Sequence, residues 1–149
     1  MHMKYLQQMK GFTFIELIMV IILLGVLSVT AVGRFSNHSF ESAKVAGELV
    51  SAIRYAQEMS MVNTGTDAYQ VAITSTGYTV SQNGADVRNP TNYASTYVSS
   101  WTNVTLSPVV TISFDGVGAP NIGSTQTITV TVGSDSRDVI VEEVTGFTR

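Results

Sequence analysis

The apolar residues of this chain are unevenly distributed. Residues 12–33 (FTFIELIMVIILLGVLSVTAVG) form an almost unbroken apolar run in which Glu16 is the one ionisable side chain. As a helix this run rises about 33 Å, enough to cross a hydrocarbon core of about 30 Å. After Gly33 and Arg34 the pattern becomes amphipathic, with Val45, Leu49, Ala52, Ile53, Ala56 and Met59 recurring on one helical face. Proline is absent before Pro90. The spacing therefore predicts one nearly continuous helix from about residue 12 to about residue 63, stopped at Asn63-Thr64-Gly65. Its first half is apolar on every side; its second half has a single face to lay on a sheet. Met59 and Met61 read as core, and Arg54 and Glu58 are spaced for a weak ion pair.

From Ala68 onward the periodicity changes. Residues 69–74, 77–81, 97–101, 109–114, 126–132 and 138–144 are rich in Val, Ile, Thr and Tyr and read as strands. Ser75-Thr76-Gly77 is a hairpin turn, Gly133-Ser134-Asp135-Ser136 a second turn, and residues 83–93 a loop. The fold class is α+β, with an antiparallel sheet against the second half of one long N-terminal helix.

Charge adds an orientation. Lys4 and Lys10 precede the apolar run and hold that end in the cytoplasm, which places the β domain on the outer side of the membrane. From residue 35 onward there are five basic residues (Lys44, Arg54, Arg88, Arg137, Arg149) against ten acidic ones. An acidic domain without clustered Lys or Arg argues against nucleic acid as a partner. With no cysteine in 149 residues, disulfides and thiolate metal sites are excluded.

Three readings of the N-terminus compete. A plain secretory signal would end at Val29-Thr30-Ala31; an unprocessed anchor would stay whole; a buried core helix would need a larger protein around it. Glu16 weighs against the first two, because a carboxylate in an apolar span is costly unless it has a function or a partner.

The segment GFTFIEL, from Gly11 to Leu17, resembles the cleavage signal of prepilins: a short basic leader ending in Gly, then Phe, then Glu at the fifth mature position. The resemblance implies a type IV pilin-like subunit with the pilin fold. A prepilin peptidase would cut between Gly11 and Phe12 and methylate the new Phe12 amine. Residues 1–11 would then be the leader, 12–34 the transmembrane and filament-core helix, 35–63 the amphipathic half, and 64–149 the β domain. In a helix bundle, Glu16 of one subunit would neutralise the Phe12 ammonium of its neighbour and set the assembly register, since unpaired charges in an apolar core are expensive. The remaining implied partners are other pilin or pseudopilin subunits, an inner-membrane assembly platform with its ATPase, and the membrane before assembly. Many pilins carry proline near the position of Gly33, which weakens a helix by about 1 kcal/mol relative to Ala.

A second resemblance lies at the other end. LVSAIRYAQEMSM, ISFDGVGAP and RDVIVEEVTGFTR are similar to the pattern of type II secretion minor pseudopilins and of the related minor pilins of type IV pili, including the mannose-sensitive haemagglutinin type. This implies an initiating or capping role in a filament, as a pilus minor pilin or as a pseudopilin serving protein export. A secreted β-rich binding protein with an ordinary signal peptide is the reading from another class.

Catalytic constellations are missing from the sequence. His2 falls in the leader and His38 on the stalk, and no serine has a base beside it. The chain reads as a non-enzyme without cofactor or metal. Asp135, Ser136 and Asp138 read as turn residues rather than calcium ligands. Tyr93, Tyr97 and Trp101 either cap the sheet core or face a partner.

Overall fold

A computed structural model of the chain describes residues 11–32, 37–63 and 68–149. The expectations resting on His2, Lys4, Lys10, Gly33, Arg34, Thr64 and Gly65, and on the join between the two halves of the long helix, lie outside the described residues. The chain divides into two compact units, residues 1–36 and 37–149. The first contains helix α1 (Phe14–Val32). The second contains helix α2 (Asn37–Val62), followed by β1 (Tyr69–Thr74), β2 (Gly77–Gln82), β3 (Ala85–Asp86), β4 (Tyr97–Ser100), β5 (Val104–Ser107), β6 (Val110–Ser113), β7 (Gln126–Val132) and β8 (Asp135–Val141).

The second unit is α+β, with α2 packed on antiparallel strands, but the strands form two sheets where one was expected. The first sheet has β1 between β2 and β6, with the other edge of β2 shared by β4 and β3. The second has β7 between β5 and β8. The face of α2 predicted to be apolar is buried: Val45, Leu49, Ala52, Ile53 and Ala56 are all at most 1% exposed. They join Val71 and Ile73 of β1, Ile128 and Val130 of β7, and Val139 and Val141 of β8 in one core. Burying a side chain such as Leu49 contributes about 1.5–3 kcal/mol, so this face is a main source of the packing of the helix on the strands.

Local expectations were met unevenly. β1 and β7 coincide with the predicted strands. β8 begins at Asp135, earlier than residue 138, because Val132 pairs with Asp135 and leaves only Gly133 and Ser134 in the turn. Asp135 and Ser136 are therefore strand residues. The loop at 83–93 contains β3, which pairs with β2 across Asn83-Gly84; both have positive φ (50° and 80°), the requirement of a tight hairpin turn that Asn-Gly satisfies. β5 was not anticipated. It is a short strand whose buried residues, Val104 and Leu106, alternate with exposed ones. Met61 is 45% exposed rather than core, and its side chain lies against the turn at Gly118. Arg54 does not pair with Glu58; its Nη2 donates to the Thr148 carbonyl at 2.7 Å. Among the described residues the ion pair is Arg149 with Glu142, at 3.4 Å.

One glycine is demanded by a close approach. A Cβ at Gly77 would lie 2.1 Å from the Ser99 carbonyl oxygen, so any side chain would push β4 away from β2.

Candidate functional site: the start of α1

Gly11, Phe12 and Thr13 precede α1, and Phe12 is 83% exposed. Glu16 stands in the first turn. The Glu16 N–H donates to Thr13 Oγ1 at 3.3 Å, and the Thr13 N–H donates to Glu16 Oε2 at 3.4 Å. This reciprocal pair is a capping box: Thr13 and Glu16 satisfy two of the amides that a helix start leaves open. A carboxylate here also faces the positive end of the helix dipole. Glu16 thus has a local partner besides any charge it meets in assembly, and the signature Thr-x-x-Glu ahead of an apolar run stands in the sequence.

Beyond Glu16, the side chains of α1 from Leu17 to Leu27 are apolar, apart from Gly25, and are exposed around the whole helix. A helix apolar all round calls for lipid or for other helices around it. Among the described residues no helix is long and apolar enough to cross a membrane. The part of α1 with described side chains, from Phe14 to Ser28, rises about 22 Å against a hydrocarbon core of about 30 Å.

In the second unit, Asp135 and Asp138 are hydrogen-bonded to different neighbours. The Ser42 hydroxyl donates to Asp135, tying α2 to the start of β8, and Thr129 Oγ1 donates to Asp138 at 2.8 Å. Three residues apart on a strand, Asp135 and Asp138 face opposite sides. Among the described residues no three His, Asp or Glu side chains gather. Asp115 Oδ1 accepts from the Val117 and Ala119 amides at 3.0 and 2.7 Å, which makes Asp115-Gly116-Val117-Gly118 an Asx turn. His38 is exposed at the start of α2, and its ring occupies the space where a Cβ of Gly133 would be.

The three aromatic residues of the long loop and its flank separate. Tyr97 is buried and Trp101 half-buried, and both join Tyr78 and Tyr55 in a chain of edge and tilted contacts. Tyr93 is 70% exposed, with the Arg88 guanidinium 5.4 Å over its ring. Burial is the main cause that pushes the Tyr78 hydroxyl far above its ordinary pKa, helped by the nearby Tyr97 and Glu48. Tyr97 and Tyr55 are raised for the same leading reason.

A subunit with one face of an N-terminal helix laid on antiparallel sheets, and a preceding helix apolar on all sides, has the architecture of pilin-type proteins. The model of the family described as type II transport protein GspH matches residues 45–145, and the chain belongs to this family. Among solved structures, the type IV minor pilin FimU of Pseudomonas aeruginosa strain PAO1 has the same fold in two crystal forms. One is 13% identical with a TM-score of 0.53, covering 72% of this chain and 90% of that one. The other is 14% identical with a TM-score of 0.55, covering 74% and 88%. At these identities the likeness is one of fold. No curated protein matches the chain by sequence. Members of pilin and pseudopilin families are structural subunits rather than enzymes. The family match covers α2 from Val45 onward and the β strands, so Gly11, Phe12 and Glu16 lie outside it.

Proposed function

We propose that the chain is a minor pilin of a type IV pilus. It is made as a prepilin, held in the inner membrane by residues 12–34 with its β domain in the periplasm. A prepilin peptidase cuts it between Gly11 and Phe12 and methylates the Phe12 amine. The assembly platform and its ATPase then move it into a filament with other pilin subunits, where it initiates or caps. Glu16 receives the Phe12 ammonium of a neighbour and so sets the register. The observation that carries this reading is α1 itself: Glu16 is its one ionisable side chain, in the first turn of a helix whose apolar side chains are exposed on every side. In a dry bundle a lone carboxylate needs a cation, and the amine created at Phe12 supplies one.

A second reading, a minor pseudopilin serving protein export by type II secretion, is favoured by the description of the matching family. Both require the same processing. Mass spectrometry of the N-terminal peptide from cell envelopes should find a chain beginning at methylated Phe12. A chain beginning at Val32, or one still carrying Met1, would overturn both. Deleting the gene then separates them: loss of surface pili with export intact fits the pilus, and loss of exported folded protein with pili intact fits secretion.

A further inference from the structure

A pocket of about 280 Å³ lies between α2 and the loop that follows β3. Gly47, Glu48 and Ser51 form its helical wall, Tyr78 and Tyr97 its floor, and Asn89, Thr91 and Asn92 its far wall. The far wall is built to stand open. Asn89 is buried, and its Oδ1 accepts from the Thr91 and Asn92 amides at 2.8 and 3.3 Å. Asn92 Oδ1 accepts from the Ala94 amide at 3.0 Å. The Asn89 N–H donates to the Ala94 carbonyl, and the Tyr93 N–H to the Asn89 carbonyl, each at 3.0 Å. With these groups engaged inside the loop, the loop does not collapse onto α2. Opposite it, Gly47 leaves open space where a side chain would stand.

The chemistry of the pocket is one-sided. Glu48 is half-buried, and its Oε1 accepts from Ser99 Oγ at 2.7 Å. Tyr78 and Tyr97 line the pocket beside it. Hydroxyls stabilise the carboxylate but carry no formal positive charge. Among the described residues no ion pair joins Glu48 to Lys44, which is exposed one turn earlier on α2, and Arg88 donates to the Tyr93 carbonyl at 3.1 Å. A half-buried carboxylate in a pocket lined by Ser, Thr, Asn and Tyr side chains is complementary to an organic cation that donates hydrogen bonds. The single carboxylate favours an ammonium or guanidinium on an aliphatic stem over a hydrated metal ion, which would need further oxygen ligands.

We infer that this pocket is a binding site for an ammonium or guanidinium group, with Glu48 as its counter-charge and Tyr78 and Tyr97 as its floor. The group could arrive on a free amine or on a Lys or Arg side chain of a neighbouring filament subunit. The acidic balance of the domain favours either source.

Trp101 is the one tryptophan of the chain and lies 5.7 Å from the Tyr78 ring, so its fluorescence reports on the pocket. The full chain in detergent micelles is titrated with Nα-acetyl-lysine amide, Nα-acetyl-arginine amide, neutral Nα-acetyl-norleucine amide and calcium chloride. The expected result is a saturable change with at least one of the two cationic amides and none with the neutral one. Glu48→Gln, which keeps an oxygen for Ser99, should weaken it by about tenfold or more. Thr91→Phe, which fills the pocket from its rim, should do the same and serves if Glu48→Gln unfolds. No response to either amide, an equal response to norleucine amide, a response to calcium alone, or full retention in both variants would overturn the proposal. A photo-crosslinking residue at Thr91, tested in assembled filaments, then identifies the source. Crosslinks to another subunit that disappear with Glu48→Gln indicate a neighbour's side chain; saturable amine binding without such crosslinks indicates a free amine.

Discussion

Glu16 meets two demands at once. As the third residue of α1 it closes the capping box with Thr13, and in the proposed filament it offers a charge to a neighbour's amine. Glutamine distinguishes these roles, because it caps a helix start nearly as well as glutamate but carries no charge. Glu16→Gln should leave amide exchange protection of the first turn of α1 within about twofold of wild type while abolishing incorporation into filaments, as counted by immunolabelling. If filaments still incorporate the variant, the register role fails and the cap is the whole function of the residue. The capping box could be read in the residues, since it needs only Thr and Glu three apart. The role of Glu48 could not, because Ser99, Tyr78 and Tyr97 reach it from distant parts of the chain.

At the scale of elements, α2 is held by more than its apolar face. Gln57 Nε2 donates to the Gly118 carbonyl and to the Thr145 carbonyl, each at 2.8 Å, so one side chain ties two turns to the helix. Removing it leaves both carbonyls without that donor. Gln57→Ala should therefore cost about 1–2 kcal/mol in urea denaturation of the full chain and speed amide exchange in residues 115–119 and 142–146. An unchanged midpoint would mean that Arg54, through Thr148, carries the docking of the C-terminal segment alone. The period of α2 was visible in the sequence because a helix on a sheet buries every third or fourth residue. β3 and β5 were not foreseen: they have two and four residues, too few for alternation to stand out from a loop. Their formation rests on an Asn-Gly turn and on pairing with β7.

The whole domain carries a pH dependence through its tyrosines. Burial raises the pKa of Tyr78, Tyr97 and Tyr55 above the ordinary value of 10.0, so the folded state holds these protons where the unfolded state releases them. By linkage this stabilisation is complete below about pH 10 and is lost as pH rises through the folded values. Above about pH 10, Tyr78, the most deeply buried of the three, lowers the unfolding free energy by up to about 1.4 kcal/mol per pH unit until it ionises in the fold, and the other two act in the same direction. Denaturation of the full chain at rising alkaline pH should show this fall, and Tyr78→Phe should make it shallower. A slope unchanged by that substitution would place the titration elsewhere.

By itself the sequence determined the α+β class, the apolar stretch with its single carboxylate, the buried face of α2 and most of the strands. Each of these depends on local periodicity, and neighbouring residues are enough to express it. Tertiary structure decided the split into two sheets, the two-residue turn before β8, the exposure of Met61 and Tyr93, and the pocket around Glu48. Those features come from which strands meet and how closely, as at Gly77 against Ser99, and from side chains that converge across many tens of residues. No local pattern encodes such meetings, because they are set by the packing of the whole domain around one core.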